Sequence, residues 1–227
     1  MGFHRRYGSL ESHNRVLKRT KKLAYSFPIP ASRKMSLELI LGPMFAGKSS
    51  AIIRIVNRHR SIQTPILLVS HISDNRYSED HVVSNHDSIQ IPCKRWPTLL
   101  NHIEDDAYKA AKLVIIEESQ FFGDLKQFVI HAVEEDMKHV VVVGLDGDAD
   151  RRPFGQILDL IPYADTITKL KAFCSECRNG TEALFSYCKA RESKQGQVCV
   201  GGEEMYTPLC RKHYVEKMKA VGAYTIV

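Results

Sequence analysis

Leu37-Glu38-Leu39-Ile40-Leu41-Gly42-Pro43-Met44-Phe45-Ala46-Gly47-Lys48-Ser49-Ser50 is the stretch that decides the fold. An apolar run ends at Gly42, and four residues separate it from Gly47-Lys48-Ser49. That is the G-x-x-x-x-G-K-S spacing of a phosphate-binding loop, with a strand before it and a helix after it. The glycines let the backbone curl until successive N–H groups point inward at phosphate oxygens. The following helix adds the partial positive charge of its N-terminus. Lys48 is expected to reach the β- and γ-phosphates, and the Ser49 hydroxyl to ligate Mg²⁺. Residues Gly42 to Ser50 are therefore the candidate ATP- and Mg²⁺-binding segment.

Outward from this loop, apolar runs alternate with helical patterns. A helix is expected to about Ser61, and Thr64-Pro65 breaks it. Ile66–Ser70, Lys112–Ile116, Val140–Val143 and Thr166–Leu170 read as strands. Pro97–Tyr108, Leu125–Met137 and Gln156–Leu160 read as helices. The alternation predicts an α/β class with a mostly parallel sheet and crossover connections. Ligands should then gather at the carboxyl ends of the strands, where Gly42, Ser70, Glu118 and Gly144 fall.

After Leu170 the pattern changes. Cys174-x-x-Cys177 is followed, 32 intervening residues later, by Cys210-x-x-His213. Two such half-sites at ribbon-like separation read as a tetrahedral structural Zn²⁺ site. Cys93, Cys188 and Cys199 have no partner at ligand spacing and read as packing thiols. The expected organisation is a basic extension over 1–35, a phosphate-loop α/β core over 36–170, a zinc ribbon over 171–219, and a tail over 220–227.

The chain has 227 residues and a net charge of +6. Residues 1–34 hold nine Lys/Arg against Glu11 alone, a net of +8, which leaves −2 for residues 35–227. The basicity thus lives in the extension. It reads as a solvated tail, with a targeting segment, a Lys18–Lys22 nuclear-import patch, or non-specific nucleic-acid contact as alternatives. No apolar run reaches the ~18 residues a membrane span needs, and no signal-peptide core precedes the fold. A reducing, cytoplasmic setting without membrane association is expected.

Two acids, Glu117 and Glu118, leave a buried strand together. In a phosphate-loop protein, an acid at this strand end holds the Mg²⁺ shell. A second beside it can serve as general base toward an acceptor hydroxyl. Asp146-x-Asp148-x-Asp150 opens like a calcium loop, but Arg151 and Ile157 stand where that loop needs Gly and Glu.

The phosphate loop, Asp74-x-Arg76-Tyr77, Glu118-x-Gln120-Phe121-Phe122, Leu145-Asp146-Gly147, Arg151-Arg152-Pro153-Phe154-Gly155, the two metal half-sites and Gly201-Gly202-x-x-x-Tyr206 occur in one order. Together they resemble the thymidine kinase family of the cellular, poxvirus and bacterial type, over about Leu37 to Met218. The resemblance implies transfer of the ATP γ-phosphate to the thymidine 5′-hydroxyl. It implies Glu118 as catalytic base, with Lys48 and Arg76 assisting, and Asp74, Glu117 and Gln120 about the phosphates and metal. It implies Met44, Phe121, Leu145 and Phe154 as apolar walls around the base. It implies Val198, Cys199, Val200, Gly201 and Gly202 as the loop reading the thymine edge, and Tyr206 as its brace. Homotetramers or homodimers and inhibition by the end-product triphosphate are further family traits.

Three positions depart from the family pattern: Glu117 stands where Asp is usual, Ser119 where many members have Gly, and Ala149 where Phe is frequent. The expectation from Ala149 is a looser base pocket that Ala149→Phe would tighten. Two other classes fit parts of the sequence. One is a zinc-ribbon ATPase stimulated by nucleic acid, favoured by the basic tail but opposed by the acidic body, which lacks an aromatic-studded basic groove. The other is a nucleotide-binding regulator descended from a kinase.

Overall fold

The computed structural model describes residues 35–73, 82–84 (backbone only), 89–190 and 204–224. The expectations for Asp74, Arg76, Val198, Cys199, Val200, Gly201, Gly202 and the basic extension lie outside the described residues.

The elements in chain order are β1 Ser36–Leu41, α1 Lys48–Arg60, β2 Ile66–His71, β3 Val82–Ser84, β4 Gln90–Pro92, β5 Lys94–Trp96, α2 Asp106–Ala110 and β6 Leu113–Glu117. There follow α3 Leu125–Ile130, β7 His139–Gly144, β8 Thr166–Lys169, β9 Ala172–Phe173, β10 Glu182–Ala183, β11 Phe185–Cys188, β12 Tyr206–Leu209 and α4 Arg211–Ala220. Six strands form one sheet in the order β5-β2-β6-β7-β1-β8. All five of its pairings are parallel. Three two-stranded sheets complete the list: β3 with β4, β9 with β10, and β11 with β12.

Side chains of a strand alternate between faces, and the core divides accordingly. Leu37, Leu39 and Leu41 of β1 join Val140 and Val142 of β7 and Phe128 and Val129 of α3 on one face. Ile40 of β1 joins Val141 and Val143 of β7 and Ile52, Ile53, Ile55 and Val56 of α1 on the other. Both faces are covered, which is why β6 and β7 are nearly continuous Val/Ile runs. Each fully buried aliphatic side chain of α1 contributes roughly 1.5–3 kcal/mol relative to exposure.

Three expected helices come out differently. Pro97–Tyr108 is not one helix: a single 3₁₀ turn, Leu100–His102, precedes α2. The Asp124 carboxylate takes the N–H groups of Leu99 and Leu100 at 2.8 Å each, and Asp105 caps α2 by accepting from Ala107 N at 2.8 Å. Short acidic side chains that satisfy backbone donors locally compete with a continuous helix. Leu125–Met137 starts as α3 but widens into a π-turn at His131–Glu135. Gln156–Leu160 is a 3₁₀ helix at Ile157–Tyr163 with Pro162 inside it.

The ribbon strands β9 to β12 and α4 have their own small core, with Cys174, Tyr187, Leu209, Cys210, Tyr214 and Met218 buried in it. Phe45 and Ala46 of the phosphate loop pack against that core. Among the described residues no helix is long and apolar enough to cross a membrane.

Candidate active site and metal centre

The phosphate loop leaves β1 between β7 and β8, with Leu41 in register with Gly144. Gly47, at φ 80°, takes the left-handed conformation that the start of α1 requires. The N–H groups of the first turn are the donors that an anion would meet there. Lys48 Nζ donates to the carbonyls of Gly42 at 3.2 Å and Pro43 at 2.9 Å. The ammonium thus curls over the loop where phosphates would lie.

β6 delivers both acids to the same carboxyl edge. Glu117 is 3% and Glu118 6% exposed. The Ser49 hydroxyl donates to Glu117 Oε1 at 2.9 Å, bridging the loop and β6. Glu118 stands at φ 48°, ψ 40°, a left-handed conformation that few non-glycine residues adopt. The two carboxylates have different partners. Gln120 Nε2 donates to Glu118 Oε2 at 2.5 Å, while Gln120 Oε1 accepts from Leu145 N at 3.1 Å. One amide thus links the carboxylate to the loop after β7. Gln120 is itself boxed in: a Cβ on Gly144 would lie 2.7 Å from Gln120 Oε1, and one on Gly155 2.2 Å from the Gln120 carbonyl oxygen.

Phe121 and Phe154 meet edge to face with ring centroids 5.6 Å apart, and Leu145 lies half-buried beside Gln120. Sequence reasoning missed His71, which closes this aromatic row. Its ring lies 5.7 Å from that of Phe121 and 4.8 Å from that of Phe122. Ser73 N donates to its Nδ1 at 3.0 Å, and its Nε2 donates to the Pro97 carbonyl at 3.2 Å, so the ring is held as one neutral tautomer. Burial is the main reason its pKa lies below the usual value. The clue in the sequence was its place at the end of an apolar strand, next to Ser70.

Ala149 is 4% exposed, and its carbonyl accepts from the Tyr214 hydroxyl at 2.7 Å. Tyr206 begins β12, where it pairs with Cys188. Met44 is half-buried, and its N–H donates to the Ser186 hydroxyl at 2.9 Å.

Cys174, Cys177, Cys210 and His213 converge, all their ligand atoms lying within 4.8 Å of one another. His213 Nδ1 lies 3.5, 3.3 and 3.4 Å from the sulfurs of Cys174, Cys177 and Cys210. The sulfurs of Cys177 and Cys210 are 3.9 Å apart. An ideal zinc tetrahedron with standard bond lengths requires ~3.8 Å between sulfurs and ~3.5 Å from sulfur to nitrogen. The donor set and its spacing are compatible with a zinc site. Burial pushes the Cys174 thiol up, but hydrogen bonds led by the Cys210 and Cys177 backbones outweigh it and bring the group down to about 6.

A parallel sheet whose first strand feeds a phosphate loop, with two acids on a nearby strand end, defines a phosphate-loop nucleotide-binding protein. The family model described as "Thymidine kinase" matches residues 35–214. The chain is 40% identical over 183 residues to "Thymidine kinase a" of Arabidopsis thaliana, covering 79% of this chain and 75% of that one. It is 40% identical over 195 residues to the thymidine kinase of Oryza sativa subsp. japonica, covering 84% and 70%. It is 34% identical over 189 residues to "Thymidine kinase, cytosolic" of Homo sapiens, covering 83% and 76%. The chain belongs to the thymidine kinase family.

Proposed function

We propose that the chain works as a thymidine kinase through the following division of labour. It moves the γ-phosphoryl group of ATP to the 5′-hydroxyl of thymidine. The reaction asks for positioning and charge neutralisation more than covalent chemistry. The phosphate-loop N–H groups and Lys48 hold the phosphates. Ser49 and Glu117, two hard oxygen donors already in contact, would hold Mg²⁺, which would neutralise phosphate charge when bound. Glu118 takes the proton of the 5′-hydroxyl, and Gln120 keeps its carboxylate aimed. Arg76 and Asp74 assist at the transferred phosphate. Met44, Phe121, Leu145 and Phe154 flank the thymine ring, the segment 198–202 reads its edge, and Tyr206 braces that segment. Zn²⁺ on Cys174, Cys177, Cys210 and His213 is structural, and its three thiolates suit a reducing cytoplasm. A homotetramer or homodimer fits the family. The nucleic-acid-stimulated ATPase is not favoured.

The observation that carries this reading is the convergence of Ser49, Glu117, Glu118 and Gln120 at one strand edge. Glu118→Gln tests it. Turnover should fall by roughly 10²–10⁴ with ATP binding near normal. Wild-type turnover in that variant would remove Glu118 from the mechanism, and wild-type protein that turns over ATP with single-stranded DNA but not with thymidine would overturn the reading.

A further inference from the structure

Two of the polar contacts between the ribbon and the rest of the molecule end on different loops at the carboxyl edge of the sheet. Ser186 of β11 is 6% exposed, and its hydroxyl accepts from Met44 N at 2.9 Å, inside the phosphate loop. Tyr214, on the first turn of α4, is fully buried, and its hydroxyl donates to the Ala149 carbonyl at 2.7 Å. Ala149 lies in the loop between Leu145 and Phe154.

That second loop is shaped so that the tether holds something. Asp148 Oδ1 accepts from Asp150 N at 2.8 Å and Arg152 N at 2.9 Å, and Gly147 bridges Pro153. The turn forces Arg151 to φ 66°. A non-glycine residue in this conformation persists only where its surroundings over-determine it. Here the guanidinium supplies the contact: it lies 5.0 Å from the Tyr214 ring, 5.7 Å from Phe185 and 5.8 Å from Tyr224. Two ribbon rings and one from the C-terminal tail thus cage one side chain of the loop, beside the hydroxyl that donates to its backbone. Farther along, Leu145 N on Gln120 Oε1 connects the loop to the amide that holds Glu118. Tyr214 directly follows the metal-ligand candidate His213, and Ser186 lies on the strand paired with β12, which leads into Cys210.

We propose that Ser186 and Tyr214, the latter with Arg151, are positioning residues that set the two substrate loops independently: Ser186 the donor loop and Tyr214 the nucleoside loop. The ribbon is a common anchor with two lines: Ser186 acts chiefly on the ATP constant, with a smaller effect on thymidine because Met44 also flanks the base, and Tyr214 acts on the thymidine constant. This rests on the thymidine kinase reading given above. A buried acceptor or donor that loses its partner weakens its loop by roughly five- to thirtyfold in an equilibrium constant.

The test is a crossed pair of variants assayed with both substrates, zinc content being measured alongside. Tyr214→Phe keeps the ring in the ribbon core and removes only the hydroxyl. It should raise the thymidine KM about five- to thirtyfold, with kcat and the ATP KM within about twofold. Ser186→Ala should raise the ATP KM by a similar factor and move the thymidine KM less. Both should retain the wild-type zinc content. Arg151→Ala, on an exposed turn, repeats the nucleoside arm without opening a core and takes its place if Tyr214→Phe does not fold. The proposal is overturned if the two variants change the same constants, if neither KM moves, or if zinc is lost along with activity, because each result makes the tethers ordinary supports of the ribbon. A wild-type protein with no thymidine turnover would instead overturn the function itself, a result visible before any variant is made.

Discussion

The Ser49 hydroxyl and the Glu117 carboxylate are in direct hydrogen-bond contact, at 2.9 Å, across the gap between the phosphate loop and β6. Aspartate is usual at this position in the family. Glu117, one methylene longer, reaches the serine directly.

Glu117 is therefore expected to govern the magnesium requirement. Glu117→Gln should raise the magnesium concentration for half-maximal activity and lower kcat more than tenfold, because a neutral amide is a poor ligand for a hard cation. Magnesium titrations of both proteins at saturating ATP and thymidine check this. Superimposable titrations would place the ion elsewhere.

One zinc per chain is expected, and its removal should weaken both substrates. The phosphate loop lies outside the ribbon in the sequence, yet it is not independent of it. The packing of Phe45 and Ala46 on the ribbon core, and the Met44–Ser186 bond, tie that loop to the metal region. Structural zinc contributes directly to folding. Metal analysis of unchelated protein, then ATP and thymidine affinities before and after chelation, measure it. Zinc-free active protein would contradict the assignment, as would an unchanged ATP affinity after chelation.

Ala149→Phe should destabilise the protein by about 1–3 kcal/mol and fail to tighten thymidine binding. The sequence alone suggested the opposite, on the view that alanine leaves a gap beside the base. At 4% exposure with its carbonyl bound to Tyr214, Ala149 has no such gap. Denaturant unfolding and thymidine kinetics on the variant decide it. A lower thymidine KM at unchanged stability would restore the earlier expectation.

Acid should destabilise the fold through His139. Burial is the main cause of its pKa lying below the ordinary 6.5, nearby His59 pushes it the same way, and Asp165 opposes them. The two imidazoles meet edge to face at 5.8 Å. Above about pH 6.5 the ring is neutral in both states and its contribution is complete. As pH falls from there toward the folded value, the unfolded chain takes up the proton first and stability is lost. The denaturation midpoint should drop between pH 7 and 5.5, and His139→Gln should shrink that drop. The metal site's own acid sensitivity is common to both proteins and cancels in the difference. An equal drop in the variant would exclude His139.

The phosphate loop, the strand that feeds it and the two acids were legible because each is a local signal: a fixed spacing, an apolar run, an abrupt change to charge. The metal quartet was legible for the same reason. β5 was not, since Lys94-Arg-Trp96 is too short to show alternation. The break in Pro97–Tyr108 was hidden because one of its caps, Asp124, comes from far along the chain. His71 and Tyr214 were hidden because their roles come from rings and carbonyls that only the fold brings near. The orientation of Ala149 was invisible for that reason too.

The slot around Gln120 has a consequence for how this protein tolerates change. Gly144 and Gly155 touch no phosphate and no nucleoside in the proposed scheme. Yet a single methyl group on Gly155 would meet the Gln120 backbone, which no side-chain rotation relieves. The Glu118 turn is thus moulded from behind by an absence of atoms. Its carboxylate is set in place before any substrate arrives, and the smallest possible enlargement of Gly155 should disarm the enzyme without altering one reacting group.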